Sequence, residues 1–154
     1  MIGCGHILRA VIIFFIFSSV GCASKTDELR SRSQQNMAII LAKEILLCEE
    51  IYFVEYAAYT DDFSALGCTE DLLLDHGGAP YTIYLSKESC LDLSRVHYEL
   101  PSGFEPVTQT YHFRAVVVGN IDQDPSPDVW IIDENNEPDN MMNDLADEKG
   151  EGPP

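Results

Sequence analysis

Basic side chains are scarce in this chain: Lys and Arg together number 9 against 26 Asp and Glu, for a formal net charge of −17 at pH 7. A surface of that sign repels phosphate backbones and anionic lipid headgroups at ordinary ionic strength, so nucleic acid is not an expected partner. Long apolar runs are also missing. The longest, Ala10 to Phe17, falls well short of the roughly 20 residues a membrane-spanning helix needs. No internal repeat points to a solenoid, and no close Cys-Cys or Cys-His spacing recurs as a zinc site would require. The four histidines, His6, His76, His97 and His112, are scattered, and none has a serine, cysteine or carboxylate at a spacing that suggests an activated nucleophile. They read as surface or half-buried residues, and the chain reads as a non-enzyme.

What is present begins at the N-terminus. Arg9 precedes the apolar run, which gives way to Ser18, Ser19 and Gly21 and then Cys22, the order of a secretory signal. Ser19-Val20-Gly21-Cys22 resembles a bacterial lipobox, although Ser19 stands where leucine is usual. This predicts a signal peptide over 1–21, removed as Cys22 is acylated. Retention as a short anchor and cleavage at another site are the alternatives. Ala23 and Ser24 rather than aspartate follow the cysteine, which leans towards an outer-membrane anchor in a Gram-negative envelope.

Residues 22–35 are polar and read as a tether, whereas 36–143 have the patterning of one domain. Met37, Leu41, Ile45, Cys48, Tyr52, Tyr56 and Tyr59 recur at three- and four-residue steps, predicting an amphipathic helix from about Ser31 to Tyr59. Glu44, Glu49 and Glu55 fall mostly on its other faces, as solvating charges. A capped turn closed by Gly67 follows, and His76-Gly-Gly-Ala-Pro80 breaks any further helix. Tyr81 to Leu85, Thr108 to Val118 and Asp128 to Ile132 read as strands, the last two close enough to pair antiparallel. Asp92 to Glu99 is ambiguous. Tyr111, Phe113, Ala115 and Val117 share one face, and with Trp130 they read as the packed side of the sheet. The acidic stretch 144–154 reads as a disordered tail. The fold class is α+β, a long amphipathic helix on a small antiparallel sheet.

Two chemical features remain. Cys48 sits on the apolar stripe as a small buried thiol, while Cys68 and Cys90 lie in loop-like surroundings; they either form a disulfide with each other or stay free. Asn120, Asp122, Asp124, Ser126 and Asp128 alternate like the first five ligand positions of a calcium loop, but Pro125 and Ile131 stand where an EF-hand has glycine and glutamate. Calcium binding and a merely solubilising acidic hairpin loop are both compatible with this spacing.

The order of landmarks resembles the type IV pilin and type II secretion pseudopilin superfamily. Gln34 to Ile40 through Glu49 to Tyr56 is similar to the C-terminal half of a pilin helix, and Thr60 to Gly67 to the helix-to-sheet connection. Tyr111 to Asp122 and Asp128 to Asp133 are similar to the last hairpin, and Asn140 to Asp144 to the closing segment. The prepilin-peptidase site is missing: five residues on from Gly3 or Gly5 stand Leu8 and Ala10, not a glutamate. The resemblance therefore implies a pilin-like head held on a lipid at Cys22, acting through envelope protein partners as a structural or accessory part of a pilus or secretion system. The alternative it implies is a minor pilin or pseudopilin with a degenerate N-terminus, retaining residues 7–23 as a filament anchor. Calcium near the last loop is a further family expectation.

Overall fold

The computed structural model of the chain describes residues 5–122, 125–135 and 137–145, with the side chains of 5–25, 27, 70, 73 and 74 left aside. Helix α1 runs Gly5–Tyr56, followed by α2 (Phe63–Leu66) and α3 (Thr69–His76). Six strands follow: β1 (Tyr81–Tyr84), β2 (Cys90–Asp92), β3 (Val107–Gln109), β4 (His112–Gly119), β5 (Asp128–Asp133) and β6 (Asp139–Met142). The chain divides into a unit up to Ser33 and a second from Gln34 onward. In the first unit the segment expected to be a tether is helical. Arg32 and Glu28, one turn apart, pair at 2.7 Å.

The second unit is the α+β domain. From Gln34, α1 buries Ala38, Leu41, Ala42, Ile45, Leu46 and Cys48, steps that keep one stripe inward. The helix ends at Tyr56 rather than Tyr59 because Ala57 turns into the left-handed region at φ 55°. Tyr52 and Tyr59 still pack against the core, but Tyr56 is exposed. Asp62 caps α2 by accepting from the Ser64 backbone N–H at 2.9 Å, and Gly67 closes it at φ 74°. The Ser64 bonds also hold the Asp62 carboxyl below its ordinary range.

Every strand pairing is antiparallel, in the order β2-β1-β4-β5-β6, with β3 also on β4. Alternation sends Ile83, Phe113, Ala115, Val117, Trp130 and Ile132 to the cluster that holds the α1 stripe. Tyr84, Val116, Val118 and Val129 point the other way, where Tyr98, Leu100 and Phe104 cover them. The stretch from Asp92 to Glu99, ambiguous in the sequence, thus leaves β2 and runs over the second face of the sheet. Its backbone is tied there by Tyr98 N–H to Thr82 Oγ1 at 3.0 Å and by Tyr84 O–H to the Tyr98 carbonyl at 2.7 Å.

The expected strand Thr108 to Val118 is two strands. Gln109 faces His112, leaving Thr110 and Tyr111 as a two-residue turn. Tyr111 is therefore 66% exposed, not on the packed face with Phe113. Gly119 pairs with Tyr81, whose ring and the Pro80 carbonyl occupy the space a Cβ would need. Only glycine allows that close approach.

Three expectations are corrected by packing. Cys48 bonds to Cys68, not Cys68 to Cys90: the end of α1 and the residue before α3 bring their Cα atoms to 6.3 Å, while Cys90 is an exposed free thiol on edge strand β2. That bridge closes a loop of 20 residues, worth about 3 kcal/mol by unfolded-chain entropy. Asp144 and Leu145 belong to the domain rather than to a tail. The Asp144 carboxylate is buried and accepts from the Ile121 N–H at 2.6 Å, and Leu145 packs on the core. Residues 146–154 lie outside the described residues.

The third correction is Glu49, which is fully buried because it follows Ile45 by one turn. One carboxylate oxygen accepts from the Thr60 N–H at 3.2 Å, while the other has no partner among the described residues. Burial, with the nearby Asp61 charge adding to it, pushes the carboxyl from 4.5 to about 7. The folded state then holds an extra proton between those values, so stability falls as pH rises from about 4.5 to about 7, by at most about 3 kcal/mol. Glu49→Gln keeps the Thr60 bond and removes that titration. Urea midpoints measured at pH 5 and pH 8 should differ clearly for the parent and much less for the variant, and an unchanged difference between them would count against Glu49 as its source.

Candidate functional site

Three groups of polar side chains are built into the domain. The most deeply buried centres on Asp128, the first residue of β5. Pairing with Gly119 places it opposite the end of β4, and its side chain turns into the fold. Its Oδ2 accepts from the Tyr81 hydroxyl at 2.9 Å and from the Trp130 indole Nε1–H at 2.7 Å. Its Oδ1 accepts from Asn140 Nδ2 at 3.1 Å. A carboxylate out of water is tolerable when donors converge on it in this way. Burial and the Asp128 charge push the Tyr81 phenol far above its ordinary range, so the phenol remains a donor.

This arrangement bears on the residues that the calcium-like spacing picks out. Asn120, Asp122 and Ser126 are half-buried in the β4–β5 connection, and Asp124 lies outside the described residues. Asp128 is directed to Tyr81, Trp130 and Asn140. Among the described residues, no three His, Cys, Asp or Glu side chains converge on one point. The Cys22 side chain, the expected lipid acceptor, lies outside the described residues, although its backbone is within α1.

The second group surrounds a cavity of about 370 Å³ between the β1–β2 hairpin and the covering segment. Tyr84, Cys90, His97 and Phe104 line it, with Lys87 and Glu105 paired across its rim at 2.9 Å. His97 bridges two elements: its Nδ1 is 2.9 Å from Asp92 Oδ1 and its Nε2 is 3.1 Å from the Tyr84 hydroxyl. Asp92 also accepts from Thr82 Oγ1 at 2.7 Å, which fixes the carboxylate. The Tyr84 phenol is pushed up to about 12, chiefly by burial, with Cys90 and Asp92 adding to it. Burial and Asp92 also raise the Cys90 thiol. Both groups therefore keep their protons at neutral pH, whereas a nucleophilic thiol needs the opposite shift.

Cys68 and Cys90, for which pairing and free thiols were both open in the sequence, are separated: Cys68 lies just before α3 and Cys90 beside this cavity. The cavity is not encoded locally, because Tyr84, Asp92 and His97 come together only when β2 folds back on β1.

The third group is a set of carboxylate–histidine pairs. His76 Nε2 meets Glu44 at 2.8 Å, joining α3 to α1, and His112 Nδ1 meets Glu134 at 2.7 Å beside the hairpin turn. His76 is mostly buried, whereas His97 and His112 are exposed. Such pairs add little when solvent reaches them.

No family model matches the sequence, and a comparison with curated proteins finds no match.

The Asp128 group has a measurable role. Asp128→Ala removes the acceptor from the Trp130 indole and from Asn140 inside the fold, which should cost about 3 kcal/mol. Urea unfolding of chelator-treated protein tests this: the loss must be present without calcium. A loss seen only after calcium is added would make the carboxylate a metal ligand rather than a structural acceptor.

Proposed function

We propose that this protein is a lipid-anchored envelope protein of a Gram-negative type, without catalytic activity, whose pilin-like head acts by docking to other envelope proteins as a structural or accessory component of a type IV pilus or secretion system. The observation that carries the reading is the pairing of one long helix with an antiparallel sheet. The α1 stripe from Ala38 to Tyr52 packs on the inner face of β1, β4 and β5, and a lipobox-like Ser19-Val-Gly-Cys22 lies upstream in the sequence. The antiparallel hairpin of β4 and β5, with β6 paired on β5, supports the same reading. Acylation of Cys22 would give the head a membrane attachment, outer membrane by the residues that follow it. The acidic surface favours protein partners over nucleic acid.

A second reading has its own support. Residues 7–23 are helical within α1, as a filament anchor would be, and this favours a minor pilin or pseudopilin that keeps its N-terminal segment. The two readings differ in covalent structure. Intact-mass measurement of the protein purified from its own membrane should give a chain beginning at Cys22 and carrying acyl groups. A chain that retains the residues before Cys22, unacylated, would overturn the lipoprotein reading and leave the filament reading standing.

A further inference from the structure

Helix α1 carries a second apolar stripe that nothing among the described residues covers. Ile40, Leu47, Ile51 and Val54 are 43%, 55%, 58% and 87% exposed. Their spacings of seven, four and three residues place them on one side of the helix, about a third of a turn from the stripe formed by Leu41, Ile45 and Cys48. Scattered apolar side chains on a surface are ordinary, but four large aliphatic ones in a row on one helix mark a contact surface.

The charges beside the stripe decide what fits it. Glu50 flanks it on one side and Glu55 on the other, both exposed and in no ion pair among the described residues. Among the described residues of the helix, Lys43 is the cation at its edge. A second copy of the chain would bring another net charge of −17 against this one, and anionic lipid would meet the same repulsion. We propose that this face of α1 is a docking surface for a basic amphipathic helix of a partner protein, its apolar side on Ile40, Leu47, Ile51 and Val54 and its Lys or Arg residues beside Glu50 and Glu55. The apolar stripe supplies the contact, and the acidic rim and overall charge speed the encounter and select the sign of the partner. This deepens the docking role proposed above and depends on the head, not on how the chain is anchored.

The test uses the full chain in phosphatidylcholine nanodiscs, with empty discs as the reference. The probe is a dye-labelled synthetic peptide of leucine and lysine at helical period, and its leucine–glutamate counterpart is the control. Fluorescence anisotropy should show saturable binding of the lysine peptide alone. Leu47→Ser with Ile51→Ser should weaken it at least tenfold while the melting temperature stays unchanged, since both side chains are exposed. Glu50→Lys with Glu55→Lys, which leaves the stripe intact, should weaken it comparably. Equal affinity for the parent and the serine variant would overturn the proposal, as would equal binding of the two peptides. Sedimentation of the parent supplies the remaining outcome: self-association abolished by the serine substitutions would assign the stripe to a second copy. None of these results alters the mass of the mature N-terminus, so the anchor and the docking surface stand or fall separately.

Discussion

A phenol and a carboxylate meet where the helix, both hairpins and the closing strand converge. Tyr81 opens β1, and its hydroxyl reaches Asp128 at the start of β5 while lying 3.1 Å from the Gln34 carbonyl of α1. Asp128 in turn holds the Trp130 indole and, across to β6, Asn140. The apolar core would accept these elements in several neighbouring registers, because burial of Val, Ile and Leu is proportional to area and has no direction. Hydrogen bonds to one buried carboxylate do have direction, and a strand shifted by one residue would leave that carboxylate in apolar surroundings without its donors. Gly119 belongs to the same arrangement, since the Tyr81 ring reaches Asp128 only by lying over a residue with no Cβ.

Given that frame, the central strands need side chains suited to both faces. Val116, Val117 and Val118 are all buried, one towards α1 and two towards the covering segment. A strand covered on both sides reads as a continuous apolar run instead of an alternation. The covering layer is not regular structure. It is held by Thr82, which donates to Asp92 and accepts from Tyr98, so one threonine on the outer face of β1 fixes both ends of the segment that hides that face.

Much of the fold was legible where periodicity is long and local. The α1 stripe, the break after His76, the start of β1 and the β4–β5 pairing all follow from spacing and breakers. The misses have physical causes. Thr110-Tyr111 makes a turn without glycine or asparagine, so β3 and β4 looked like one strand. Glu49 was read as a solvated charge because composition outweighed its position one turn beyond Ile45, although its helical phase is that of the core. The disulfide depended on where α1 ends and α3 begins, which no local pattern encodes. Of the residues singled out for chemistry, Asp128 stands out in the sequence by its alternation with Asp122 and Ser126, but no local pattern shows that its side chain receives Tyr81, Trp130 and Asn140 in the interior. The cavity beside His97 could not be read from spacing, since it exists only through strand pairing.

The two stripes of α1 bring these points together. A helix on the edge of a domain ordinarily has one apolar face and one charged face. Here the inward face contains a carboxylate, Glu49, and the outward face contains Ile40, Leu47, Ile51 and Val54. The first departure costs the isolated domain stability through desolvation, whereas the second costs little, because an exposed side chain meets water in the folded and the unfolded chain alike. Glu49 has a local return, because its carboxylate receives the Thr60 N–H and fixes the chain where it leaves the helix. Nothing among the described residues covers the outward stripe, and the net charge of −17 disfavours a like-charged copy against it. Under the docking proposed above, a partner helix would cover that stripe, so that one face of α1 holds the sheet and the other meets a second protein.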